Sequence, residues 1–351
     1  MLDLLIIGAG PAGISAAYEA KKAGLDYVVI EKGLIGNTIY NYPVGLTVFS
    51  TTNELEFEPG DLQPAREKPT REELLSYYVR FVLDNELNVR TEETVTYVFS
   101  SELPPRSRNA DTPPKQGGEL SSPIFRIVTD KAEYEARNVL FAIGAMDYPR
   151  NLNVPGEDLQ KVYDHFRETY PWVKKKALIV GGGNSAGEAA LFLAKEGAET
   201  TLAIFRDDWE NTDPKQGCIK YWVKQPLEEE LKEHCLNLFF LGKIVEIRDG
   251  EVELESESGE SVVLENDVVF VLIGADADLT MLKDLGVETV PGKYGEVPVY
   301  DPETGETNIK GVYVAGHFTN ERHIKPAIEA AKKIVPAMAG SLPAKHAEVT
   351  K

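Results

Sequence analysis

Gly8-Ala9-Gly10-Pro11-Ala12-Gly13 follows the largely apolar run Leu2–Ile7 and precedes Ile14–Ala23, a stretch with helical composition that Gly24 ends. A second stretch, Gly181-Gly182-Gly183-Asn184-Ser185-Ala186-Gly187, follows Ala177–Val180 and precedes another helical segment, Ala186–Gly197. Glycines in this strand–turn–helix setting remove side chains where the backbone turns tightly and must approach a pyrophosphate. The helix N-terminus then receives the phosphate charge. Gly8, Gly10, Pro11, Ala12 and Gly13 are thus candidate contacts of one dinucleotide, and Gly181, Gly183, Asn184, Ser185 and Ala186 of another. Two such units in one chain predict an α/β protein with two Rossmann-like dinucleotide-binding domains.

The segments beyond the two helices tell the units apart. Tyr27–Ile30 reads as a second strand that stops at Glu31, with Lys32 beside it. A carboxylate roughly 20 residues past the glycines suits ribose hydroxyls. Gly36-Asn37-Thr38-Ile39-Tyr40-Asn41-Tyr42-Pro43 then forms a polar and aromatic loop of the type that covers a flavin ring, so Asn37, Thr38 and Tyr42 join the first site, which is read as taking FAD. After the second unit, the strand Thr200–Ile204 leads to Phe205-Arg206-Asp207-Asp208. An Arg at that strand tip can pair with a 2′-phosphate, which favours NADPH over NADH. Asp207 and Asp208 leave the alternative open, because an acid there can hold a bare 2′-hydroxyl.

Between the units, Arg71–Glu86 carries an apolar helical stripe of Leu74, Leu75, Tyr78, Phe81 and Val82. Val95–Phe99, Ile124–Thr129 and Ala132–Ala136 read as a small antiparallel meander. Ser101–Pro123, with five prolines and no aromatic residue, reads as a surface loop within it. Asn138–Ile143 returns as a buried strand ending at Gly144, and Asp267–Gly274 does the same for the second unit. Tyr313–Gly316 is the last strand, and Glu321–Ala339 the closing helix. The expected division is therefore a first part of the FAD domain at 1–152, a nucleotide domain inserted at 153–272, and the rest of the FAD domain at 273–351.

Composition narrows the function. The formal charge of −20 argues against nucleic acid as a partner. No apolar run approaches the ~20 residues of a membrane span. The only cysteines are Cys218 and Cys235, with no C-x-x-C, which suits a reducing compartment, expected to be the cytoplasm, and no disulfide framework. Cys235 follows Leu227 and Leu231 at helical spacing and reads as a core residue; Cys218 lies in a turn-rich stretch. No metal site is expected.

The chain resembles the thioredoxin reductase family over essentially its whole length. Gly8–Gly13, Ala142-Ile143-Gly144, Val154-Pro155-Gly156-Glu157, Gly181–Ala186 and Val314-Ala315-Gly316 carry the resemblance. More narrowly it is similar to bacillithiol disulfide reductases of the YpdA type, through Ile39-Tyr40-Asn41-Tyr42-Pro43 with Phe49-Ser50-Thr51, the isolated Arg206, Ile219-Lys220-Tyr221-Trp222 and Pro298-Val299-Tyr300. Three departures matter. The place of the thioredoxin reductase C-x-x-C reads Asp164-His165-Phe166-Arg167. The place where the bacillithiol enzymes are thought to use a cysteine is Ala12. The family's Ala-Gly-Asp is Ala315-Gly316-His317.

The resemblance implies a homodimeric FAD-dependent NAD(P)H oxidoreductase, and the missing cysteines imply that it works without protein thiols. Its acceptor would be a small disulfide, a quinone, a small protein or oxygen. His317 would lie beside the ribityl chain, and backbone N–H groups at His323 and Ile324, after Arg322, would face charge developing on the flavin. His165 is a candidate proton donor, and Lys220 and Lys325 are candidate phosphate ligands. Two rivals stand beside this reading: a flavin monooxygenase, recognisable by oxygenated product, and a non-catalytic flavin-bound sensor, recognisable by very slow flavin reduction.

Overall fold

Apolar runs bounded by glycine build two parallel sheets. The computed structural model describes residues 1–101, 123–146, 148–211, 213, 219–233, 236–292, 295–321 and 323–342. The segment 102–122, both cysteines and Arg322 lie outside the described residues, as do the readings attached to them. The chain divides into two compact units. One comprises the described residues of Met1–Asn41, Gly45–Asp147 and Asp276–Lys351, the other those of Tyr42–Val44 and Tyr148–Ala275.

In the first unit five strands pair in the order Val312–Val314, Val139–Phe141, Leu4–Ile7, Tyr27–Ile30 and Val89–Arg90, all parallel. Both faces of a parallel sheet are covered, so its strands are continuously apolar. All four residues of Leu4–Ile7 and of Tyr27–Ile30 are buried. The chain order reverses at Leu4–Ile7, and ligands bind parallel α/β sheets at the carboxyl ends of strands beside such a reversal. That end of Leu4–Ile7 is the first fingerprint. The helix after it, Pro11–Lys22, packs on the closing helix Ile324–Ser341, where the Ser15 hydroxyl donates to the Ile328 carbonyl at 3.0 Å. Pro11 stands in the first turn, where its missing N–H costs nothing. The antiparallel meander is present as Val95–Ser100, Phe125–Thr129 and Glu133–Ala136.

The sequence reading of Gly36–Pro43 as plain loop is corrected in part. Asn37–Tyr40 forms one helical turn, held by Arg71, which is 6% exposed. Its guanidinium donates twice to the Tyr40 carbonyl, at 2.6 and 3.2 Å. Arg71 itself opens the helix Arg71–Asp84, whose start is fixed by a Thr70/Glu73 capping box.

The second unit repeats the plan. Lys176–Val180, Glu199–Ile204, the first half of Leu236–Ile247, Val268–Val271 and Val162–Tyr163 pair in parallel. Leu236–Ile247 then continues past the parallel sheet into an antiparallel hairpin with Glu251–Ser256 and Ser261–Glu265. Separate apolar clusters fill the two faces of this sheet, one around Leu193 and Phe270, the other around Leu178 and Leu254. Among the described residues no helix is long and apolar enough to cross a membrane, and no group of His, Cys, Asp or Glu could hold a metal ion.

Candidate functional site

The two fingerprints are built on the same plan. Gly8 has φ +107°, and a Cβ there would collide with the Ala142 carbonyl at the end of the neighbouring strand. Gly181 has φ +151°, and a Cβ there would collide with the Leu272 carbonyl in the corresponding place. Both glycines are forced by close backbone approach and by a conformation that L residues avoid. The middle glycines differ. A Cβ on Gly10 or Gly183 would meet nothing within 4 Å. Each is the N-cap of its helix, in extended conformation and without a side-chain cap. Nothing beside either N-cap blocks the approach of a pyrophosphate to the helix N-terminus, so the residues present fit a dinucleotide at each site.

Glu31 completes the first site. Its Oε2 accepts the Ala9 N–H at 2.6 Å and its Oε1 the Gly33 N–H at 2.7 Å. A carboxylate offers about four lone-pair positions, so accepting two amides leaves capacity for ribose hydroxyls. Lys32 is exposed beside it. Asn37 begins the short helix, with its Oδ1 3.4 Å from the Leu34 N–H, and Thr38 is exposed next to it. Gly144, with φ +75°, follows the strand Val139–Phe141 and also has nothing within 4 Å of its Cβ position. On the next strand, Gly316 approaches Ala12 so closely that a Cβ would stand 3.3 Å from the Ala12 methyl. Ala12 is 5% exposed and is part of the packed base of the site. His317 follows, exposed at the end of Val312–Val314, and His323 is the N-cap of the closing helix, with Ile324 its first residue.

Tyr42 follows the short helix Asn37–Tyr40 in the chain. It groups with the second unit, where the Val44 N–H donates to the Arg167 carbonyl at 2.9 Å. Burial, and then the charge of Glu188, push its hydroxyl up. Glu188 lies one turn into the second fingerprint helix, and burial pushes its carboxyl up to about 7. His165 is exposed, and its ring nitrogen Nδ1 lies 2.6 Å from Oδ1 of its neighbour Asp164. Phe166 is the inward member of that segment, edge-on to Phe270 at 5.3 Å.

In the second site Ala186 is fully buried and Ser185 exposed. Asn184 opens the fingerprint helix, and its Oδ1 accepts the Lys220 backbone N–H at 2.8 Å. Lys220 is the N-cap of Tyr221–Lys232, so Asn184 ties that helix to the fingerprint. Arg206 opens the short helix Arg206–Glu210. Its Nε donates to Glu257 at 2.7 Å, its Nη2 donates to the other Glu257 oxygen, and its Nη1 donates to Glu210 at 3.2 Å. The guanidinium carbon lies 3.8 Å from the centre of the Phe240 ring.

Four residues escaped the sequence reading. Glu54 had a legible signal, the Thr51-x-x-Glu54 capping box. The Thr51 N–H holds its carboxyl below the usual range, aided by Lys325 and His323 at the start of the closing helix. Arg71, Glu188 and Glu257 had none, because their roles depend on tertiary neighbours.

The family model for pyridine nucleotide-disulphide oxidoreductases matches residues 5–103 and 119–316. Bacilliredoxin reductase Bdr of Bacillus subtilis is 33% identical over 312 residues, which cover 89% of this chain and 88% of that protein. A ferredoxin–NADP reductase of Ignicoccus hospitalis is 28% identical over 91% of this chain and 90% of its own. The structure of bacillithiol disulfide reductase Bdr (YpdA) from Staphylococcus aureus superposes with a TM-score of 0.84 at 31% identity, covering 97% of this chain and 99% of that one. The chain belongs to the pyridine nucleotide-disulphide oxidoreductase family and is an FAD-dependent NAD(P)H oxidoreductase.

Proposed function

We propose that this enzyme moves electrons from NADPH through bound FAD directly to a small acceptor, with no protein thiol in the path. The carrying observation is Ala12. A methyl packed against Gly316 stands where the resemblance to bacillithiol disulfide reductases implies a cysteine, and no C-x-x-C exists elsewhere. Bound FAD supplies a relay that accepts a hydride and yields two electrons. NADPH, a proton and the oxidised acceptor become NADP⁺ and reduced acceptor; a disulfide would leave as two thiols.

The chain's own residues hold and orient. Gly8–Gly13 and Glu31 take the pyrophosphate and ribose of FAD, and Gly144, Gly316 and His317 line strand ends beside them. Backbone N–H groups at His323 and Ile324 open the closing helix, a position that favours negative charge on the flavin. Gly181–Ala186 take the nicotinamide dinucleotide, with Arg206 at its 2′-phosphate. Two cysteines in the whole chain support a cytoplasmic enzyme, and the family resemblance supports a homodimer.

Stopped-flow reduction of the purified holoenzyme tests the reading. NADPH should bleach the flavin, and a panel of a low-molecular-weight disulfide, a quinone, a ferredoxin and oxygen should show which acceptor restores its colour. A flavin that NADPH fails to reduce contradicts it.

A further inference from the structure

The guanidinium assigned to the 2′-phosphate is already engaged. All three Arg206 nitrogens donate to carboxylates, two of them to Glu257 in the forked geometry that a phosphate would use. Glu257 comes from the turn after Glu251–Ser256, and its N–H donates to the Phe240 carbonyl at 3.1 Å. Phe240, on the strand between, supplies the ring beneath the guanidinium. The same hairpin thus provides both the surface that orients Arg206 and the anion that occupies it. Asp207, Asp208 and Glu210 lie on the short helix that Arg206 opens, which adds negative potential against a dianionic ligand.

We propose that Glu257 sets this enzyme's discrimination between NADPH and NADH by competing with the 2′-phosphate for the Arg206 guanidinium. The proposal rests on the reading that Arg206 takes that phosphate. The Arg206 and Glu257 side chains are 43% and 39% exposed. A pair so open to water is weak, so the phosphate can displace the carboxylate, at a cost in affinity. NADH meets no such competition because it presents no anion to Arg206. The competing carboxylate narrows the gap between the two dinucleotides.

Isothermal titration of the FAD-loaded enzyme with adenosine 2′,5′-bisphosphate and with adenosine 5′-monophosphate tests this, alongside KM for NADPH and NADH. Glu257→Gln should raise the bisphosphate-to-monophosphate affinity ratio roughly three- to tenfold and lower the NADPH-to-NADH KM ratio by a similar factor. Arg206→Gln should lower the affinity ratio at least about tenfold, and adding Glu257→Gln to it should raise the ratio by clearly less than Glu257→Gln does in the parent. An unchanged or reduced ratio in Glu257→Gln, with the Arg206→Gln effect intact, overturns the competition and leaves the NADPH reading standing. An unchanged ratio in Arg206→Gln overturns both.

Discussion

Glu31 reaches back across the site and accepts the Ala9 N–H at 2.6 Å, so the acid that ends the second strand also braces the first fingerprint. Ala9 is fully buried, and its amide would lose this partner in Glu31→Ala. An orphaned buried donor costs about 1–3 kcal/mol. Glu31→Ala should therefore weaken FAD retention roughly tenfold or more, measured by equilibrium dialysis of the flavin. Unchanged retention would show that neither the brace nor the ribose contact matters.

Gly10→Val separates the cofactor's requirement from the chain's. Gly10 has φ −79° and open space around its Cβ position, so the fold accepts a side chain there. A pyrophosphate does not. The variant should fold with an unchanged far-ultraviolet dichroism spectrum and emerge colourless; a yellow Gly10→Val protein would remove the first fingerprint from the FAD site.

Glu188 predicts a pH dependence of stability. Burial lifts its carboxyl from 4.5 to about 7 in the folded chain. The folded state thus binds a proton that the unfolded state has released, and stability falls as pH rises between these values. Above pH 7 the penalty is complete, on the order of 3 kcal/mol. Glu188→Gln should melt higher than the parent at pH 8 and nearly level with it at pH 4. A difference of equal size at both pH values would place the effect elsewhere than in ionisation.

His317→Ala should shift the midpoint potential of bound FAD, since His317 follows Gly316, which packs against Ala12 of the first fingerprint. Spectroelectrochemical titration measures it. An identical potential would mean that the imidazole merely ends a strand.

Periodicity and punctuation made the architecture readable. Leu4–Ile7 and Lys176–Val180 are apolar throughout or nearly so, and each runs into glycines whose loss of Cβ the backbone demands. Glu31 was legible as a position; its bond to Ala9 was not, because a strand tip turning back on a loop leaves no periodic trace. The turn Asn37–Tyr40 is too short to show a helical period, and it is held by Arg71 from another element. Glu257 lies 51 residues from Arg206, and only the hairpin brings them together.

Electron transfer from NADPH through FAD to the acceptor, with no thiol of the protein involved, stands or falls on the Cys218→Ser/Cys235→Ser double variant. Anaerobic stopped-flow follows its reduction by NADPH first, and then its mixing with the acceptor that reoxidises the parent. Both half-reactions should proceed at rates within about twofold of the parent, because neither thiol takes part in them. Flavin reduction that survives while reoxidation by the acceptor collapses would reveal a cysteine relay and refute the thiol-free route.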